Sequence, residues 1–288
     1  MSINKKNGLV VGSLLLMILI LINTITFLSI KHTTIDNELS YLQSIAKYVQ
    51  TRLRSLDQLN NERLALIGSR TQLRLSLADY LKNPRPEYVD KMNLILVDAL
   101  NSISDFQEIK IIGLNGKIIA STQKAELGQS FPFSDCLPEN RNITKVSKLY
   151  LNENLEPALH LCAPLLLYDQ ILGYVFISSS AQEITNIFTD ASFLGETGYV
   201  LMVITPSPQK DQYILTPRRI NNRFTDYTIN SYRQLGSISH HVINKMYGVY
   251  EKLNDYKQEP MLVAIESYPS MNAGFSVPVY NHSVSHKR

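Results

Sequence analysis

The chain has 288 residues, 44% of them hydrophobic, with 28 Lys and Arg against 25 Asp and Glu and a formal net charge of +3. The basic residues are spread thinly, which excludes the basic stripe of a nucleic-acid binder, while the apolar content suffices for two modest modules or one large one. With 16 Tyr, 9 Phe and no Trp, aromatic contacts to any ligand must come from Tyr or Phe.

Residues 8–30 read GLVVGSLLLMILILINTITFLSI without one charge, enough to cross a hydrocarbon core of about 30 Å. Lys5 and Lys6 precede the run, so the positive-inside rule places residues 1–7 in the cytoplasm and everything after Lys31 across the membrane. The run ends Thr-Phe-Leu-Ser-Ile-Lys, with neither the short apolar core nor the small-residue cleavage site of a secretory signal. An uncleaved anchor is expected.

A helical stretch follows over about 35–81, broken by no Pro and by one Gly, Gly68. Leu39, Leu42, Ala46, Val49, Leu53 and Leu56 recur at a 3-4-3-4-3 spacing, the seam of a short coiled coil that needs a partner helix. Leu64, Ile67, Leu73 and Leu77 form a stripe suited to packing on the chain's own domain. Asn83-Pro84-Arg85-Pro86 ends the stretch. A second amphipathic helix is expected over 87–103, with Val89, Met92, Leu96 and Leu100 on one face.

The period then changes to that of strands. Residues 106–112 and 117–121 flank Asn115-Gly116, a hairpin signature. Residues 127–144 read as a polar loop, and strands are expected at 146–151, 158–167 and 171–178 before a helix at 182–188. A second series repeats this plan: strands at 199–204 and 212–217, a helix at 231–246, and strands at 247–253, 261–267 and 273–279. Helices followed by an antiparallel meander define an α+β architecture.

Chemistry-bearing motifs are sparse. There is no Gly-x-Ser-x-Gly elbow, His-Glu-x-x-His helix or phosphate-binding loop, and no cofactor is expected. His240 and His241 are adjacent, so on a helix they diverge by about 100° and form a poor chelate. Cys136 and Cys162 both fall in the exported part. An oxidising compartment makes a disulfide between them possible, and two buried thiols that never meet fit the same spacing.

Three stretches carry a family resemblance: Arg63-Leu-Ala-Leu-Ile-Gly-Ser-Arg-Thr-Gln-Leu-Arg74, Ile112-Gly-Leu-Asn-Gly-Lys-Ile-Ile-Ala-Ser-Thr122 and Phe193-Leu-Gly-Glu-Thr-Gly-Tyr-Val-Leu-Met202. In their order and spacing they resemble the double Cache family of bacterial extracytoplasmic sensor domains, over about residues 33–277. The resemblance implies two tandem PAS-like modules with antiparallel sheets on a long stalk helix. The organisation is then a cytoplasmic segment 1–7, a transmembrane helix 8–30, a stalk and spine helix 31–84, a membrane-distal module 85–190, a membrane-proximal module 191–279 and a tail 280–288.

In the Gly-Glu-Thr-Gly segment, Gly195 and Gly198 are expected to supply the positive φ of a tight entry turn. The distal module would bind a small molecule between its sheet and a capping loop, with Arg141, Tyr150, His160 and Asp169 as candidate contacts. Arg141 offers a carboxylate clamp, Tyr150 a wall with a polar tip and His160 a pH-sensitive contact. Amino-acid-binding members carry an Arg followed closely by Trp and Tyr, and the absence of Trp here puts that ligand class in doubt.

The expected partners are a small-molecule ligand, the inner membrane, a second copy through the stalk helix and a separate signalling protein. Relatives of this type continue into a second span and an output domain, whereas this sequence stops at Arg288, so a non-enzymatic sensor module without its own output is expected. The alternative is a membrane-anchored assembly protein that binds a protein partner.

Overall fold

Helix α1 (Ile3–Gly68) runs for 66 residues, roughly 100 Å at 1.5 Å per residue. The computed structural model describes residues 3–137, 146–152, 156–190, 194, 198–204, 213–220, 223–231, 237–255, 259–268 and 273–280. From Val10 to Ile30 every residue of α1 is exposed, and this is one helix long and apolar enough to cross a membrane. Among the described residues nothing in the folded body covers it, and exposed apolar surface of that length suits the hydrocarbon core of a bilayer.

Beyond the apolar run, α1 becomes the spine of the folded body. It packs against strands of both sheets and against α4 (Gln182–Thr189). Leu42, Ala46, Val49 and Leu53 are fully buried, with Leu39 and Leu56 partly so, inside the chain's own core. The expected coiled-coil seam is therefore occupied intramolecularly. A 3-4 spacing reports the width and pitch of an apolar helix face, and a twisted sheet fills such a face as readily as a second helix.

At Gly68 the helix stops rather than continuing to residue 81. Ser69 and Arg70 form the joint, with Arg70 N–H donating to Ile67 O (3.2 Å) and Arg74 Nη2 donating to Ser69 O (2.9 Å). Glycine is the weakest helix former after proline, and the break lets α2 (Thr71–Lys82) turn and pack on α3 (Pro86–Ser102). Pro86 starts α3, where its missing N–H costs nothing. An Arg70–Asp98 ion pair (2.9 Å) joins the α1–α2 joint to α3.

The distal sheet holds β1 (Phe106–Gly113), β2 (Ile118–Ser121), β3 (Val146–Leu151), β4 (Pro157–Leu167) and β5 (Gln170–Ser180), in the order β2-β1-β5-β4-β3, all antiparallel. The β1–β2 turn uses Gly116 at φ 74, with Asn115 Oδ1 accepting from Lys117 N–H (3.1 Å). Because side chains alternate along a strand, Ile109, Ile111, Leu159, Leu161, Val175 and Ile177 form the inner face against the helices. Ser147 on that face donates to Asp57 of α1 (3.0 Å). Residues one step out of phase form an outer face.

The proximal sheet has six strands: β6 (Leu201–Ile204), β7 (Tyr213–Ile220), β8 (Arg223–Ser231), β9 (Gly248–Asn254), β10 (Pro260–Tyr268) and β11 (Ala273–Tyr280), in the order β8-β7-β6-β11-β10-β9. Without β8 this is the distal order repeated, β6 and β11 taking the places of β1 and β5. The helix expected over 231–246 is shorter, α5 (Ser237–Ile243), and β8 lies ahead of it. Thr225, Tyr227, Thr228 and Ile229 favour the extended chain, and Lys245 at φ 58 with Met246 N–H on His241 O (2.9 Å) closes α5.

Candidate functional site

Strand register assembles the outer face of the distal sheet. Glu108, Ser178, His160 and Lys148 lie abreast on β1, β5, β4 and β3, and beside them run Lys110, Phe176 and Cys162. Tyr150 is next but one to Lys148 on β3, so it faces the same way. The segment 128–137 crosses above these residues. Its Phe131 and Phe133 rings meet the sheet: Phe131 lies edge-on to Phe176 (4.9 Å), and Phe133 lies 4.4 Å from His160, 5.6 Å from Tyr150 and stacked on Phe176 at 6.0 Å. His160 in turn stacks on Tyr150 at 4.5 Å. Ile112, Ile118 and the cysteines complete the cluster.

Buried polar groups sit within this apolar patch. Lys110 is 3% exposed and its Nζ forms ion pairs with Glu108 and with Glu126 (2.7 Å), while lying 5.8 Å from the Phe176 ring centroid. A buried ammonium requires such compensation, since desolvating it alone is prohibitive. His160 and Tyr150 are also buried. Cys136 and Cys162 are joined by a disulfide with Cα atoms 6.0 Å apart, which ties segment 128–137 to β4.

Of the residues expected from the sequence, the structure brings Tyr150 and His160 together at this face. Asp169 is not with them. It sits exposed at the tip of the β4–β5 hairpin, where Tyr168 and Asp169 have φ 50 and 60, the left-handed pair that a tight two-residue hairpin turn requires. Nine residues of extended chain separate it from His160, roughly 30 Å, so it stands apart from that cluster. Arg141 and Gly195 lie outside the described residues.

Gly198 has no positive φ. Its reason is space: a Cβ there would come within 2.5 Å of Leu194 Cβ and 2.7 Å of Leu194 O. His240 and His241 lie on α5, away from the distal sheet, with His241 Nδ1 2.8 Å from Ser237 O. Among the described residues no group of three or more His, Cys, Asp and Glu is placed to hold a metal.

Lys110, Glu108, Glu126, Phe133 and Phe176 escaped the sequence reading. One signal for Lys110 was present: a lone cation inside the apolar strand Phe106–Gly113 must either reach water or find carboxylates. A concavity lies between α1 and α4, an open groove of about 500 Å³ lined by Tyr48, Arg52, Leu56, Leu59, Glu183 and Ile187.

No protein-family model and no curated protein matches the sequence, but solved structures match the fold across most of the chain. The sensor domain of the V. cholerae histidine kinase DctB is 14% identical, covering 85% of this chain and 98% of that one at a TM-score of 0.54. The ligand-binding domain of the Pseudomonas aeruginosa amino acid chemoreceptor PctB, in complex with L-Arg, is 13% identical over 88% of this chain and 99% of that one, at 0.51. That of the Campylobacter jejuni chemoreceptor Tlp3, in complex with L-norvaline, is 11% identical over 89% and 95%, at 0.54. The fold of this chain is that of the double Cache sensor domains of histidine kinases and chemoreceptors.

Proposed function

We propose that this chain is a small-molecule sensing module, non-catalytic and anchored by the first part of α1, whose ligand binds the outer face of the distal sheet. The observation that carries this reading is the buried Lys110–His160–Tyr150 constellation among rings beneath segment 128–137. Polar groups are costly to bury, and the topologically equivalent face of the proximal sheet carries mainly aliphatic side chains. Solved neighbours of the same fold hold L-Arg and L-norvaline, which supports a small polar organic ligand.

Lys5 and Lys6 on the near side of the apolar run support a cytoplasmic N-terminus and an extracytoplasmic body. Ligand binding favours one of two pre-existing arrangements of the distal module. Because α1 packs on both sheets and continues into the apolar run, it is the element through which a displacement reaches the membrane and a signalling partner. The homodimer contact moves to another stripe of the same helix, where Tyr41, Tyr48, Leu59 and Leu66 are exposed. The groove beside Tyr48 and Leu59 is also what favours the second reading, a membrane-anchored assembly protein.

The test is a thermal-shift screen of the full chain in lipid nanodiscs against amino acids, organic acids, amines and purines. A ligand at a hundred times its Kd adds about 2.7 kcal/mol of stability. A shift abolished by Tyr150→Ala or His160→Ala places binding on the distal face. A shift unchanged by both variants removes this face from consideration, and a flat screen on folded protein favours the assembly reading.

A further inference from the structure

The segment over the binding face is fastened at both ends by different means. At the near end it is bonded to the first hairpin: Gly128 N–H donates to Ile118 O (2.8 Å), Ile118 N–H to Gln129 O (3.0 Å) and Phe131 N–H to Gly116 O (2.8 Å), with a bridge from Lys117 to Ser130. At the far end Cys136 is joined covalently to Cys162 of β4, and both cysteines are fully buried. Because β2 is the sheet's edge and β4 lies beyond β1 and β5, the segment spans the face between its two fastenings. Phe133 sits in mid-span, its carbonyl accepting from Cys136 N–H (2.9 Å) and its ring against His160, Tyr150 and Phe176.

We propose that residues 128–136 form a strap, that the Phe133 ring is a plug occupying the space over the binding face, and that the Cys136–Cys162 disulfide is the clasp holding the plug down. This rests on the reading of that face as the ligand site. A ligand reaching His160 and Tyr150 must displace the Phe133 ring, so strap and ligand compete for one surface. The bond closes a segment with a sequence separation of 26 and restricts the open forms available to the strap. The near end keeps its backbone bonds whether or not the clasp is present, so opening is a hinge about Phe131 rather than loss of the module.

The chain contains no Trp, so the single indole of Phe133→Trp reports on the strap alone. The full chain in nanodiscs is compared with and without Cys136→Ser/Cys162→Ser, by indole emission and acrylamide quenching, and by hydrogen exchange on protein retaining Phe133. With the clasp, emission is blue and shielded. Without it, emission shifts to the red, quenching rises severalfold and exchange accelerates across 131–137, while the amides of β4 and β5 keep their protection.

Two results overturn the clasp. An indole shielded equally in both backgrounds means that packing alone holds the strap. Loss of protection in β4 and β5 together with the strap means that the bond staples the whole module. A flat ligand screen sinks the binding reading without altering these readouts. A compound whose stabilisation depends on Tyr150 but which leaves the indole emission unchanged overturns the plug and spares the binding reading.

Discussion

The two sheets share a strand order, and their outer faces have been put to different ends. On the proximal sheet that face is Leu201, Val203, Ile214, Val263 and Ile265 around the buried Ser276, beneath Ile238 and Val242 of α5, a mainly aliphatic surface sealed by the chain's own helix. On the distal sheet the corresponding face carries Lys110, Phe176, Ser178 and His160, and the cover is a short strap with two Phe rings. A helix with an aliphatic stripe is a permanent seal, because burying it repays the ordering of its backbone. A strap bonded to the first hairpin at one end and held by a single short turn and a disulfide at the other closes over buried polar groups, and on the proposed reading it is a cover that can lift. On the proposed reading, one topology yields a structural module and a binding module according to what fills one face.

The largest effects come from emptying each face in turn. Phe176→Ala should destabilise the protein by about 3–5 kcal/mol and abolish any ligand-induced shift, since Phe176 contacts Phe131, Phe133 and His160. Ile265→Ala should lower stability by about 2–5 kcal/mol with the ligand-induced shift intact. Denaturant unfolding with and without ligand measures both. Equal loss of the ligand response in the two variants would break the division of labour.

Next in size is Lys110→Met, which leaves Glu108 and Glu126 facing each other without their cation. The cost should be about 2–3 kcal/mol, below the 3–5 of a fully buried pair because Glu126 is 30% exposed. Changing both glutamates to Gln in the same background should recover most of it. No loss on removing Lys110 would show that the ion cluster is dispensable and that this face differs less from its proximal counterpart than its charges imply.

Glycines near the start of the equivalent strands β5 and β11 sharpen the contrast further. A Cβ on Gly173 runs into the backbone carbonyl of Ile112, while one on Gly274 meets Val242 Cγ1 of α5 at 2.7 Å. A side chain can give way and a paired strand cannot. Gly173→Ala should therefore cost about 3 kcal/mol and Gly274→Ala about 1, the two ends of the usual overpacking range, as read from thermal unfolding.

Much of this architecture was legible because local periodicity and turn chemistry dictate it. The Asn115-Gly116 hairpin, the strands of the distal sheet and the apolar run stand where alternation and charge-free length placed them. The misreadings share a cause, which is that spacing describes a face and not what covers it. The stripe from Leu39 to Leu56 fits a helix or a sheet equally well. Residues 223–231 carry polar groups at most positions, so strand β8 left little periodic signal. On the outer distal face, Tyr150 and His160 were chosen by residue type, whereas Phe176 and Lys110 lie beside them through register between strands distant in sequence and Phe133 through the crossing segment, which no local pattern encodes.

The smallest effect lies at the membrane end of the spine, and it tests whether the proximal module is the one seated there. His32 follows the apolar run by two residues and is well exposed, with Nδ1 2.7 Å from Asp36 Oδ2. As an imidazolium it donates to that carboxylate, and this hydrogen bond is the main cause that raises its pKa above 6.5, followed by the Asp36 charge, with a last contribution from Glu251 on β9. A raised folded-state pKa means that the stabilisation is fully present below pH 6.5 and is lost as pH rises through the folded value. At so exposed a site the effect on stability is slight, so the measurement is an NMR titration of the His32 ring in the full chain. Asp36→Asn should bring the midpoint back towards 6.5, and Glu251→Gln should lower it by a smaller amount. A midpoint that ignores Asp36 would remove the ion pair, and one that ignores Glu251 alone would move β9, and the sealed proximal module with it, away from the point where α1 leaves its apolar run.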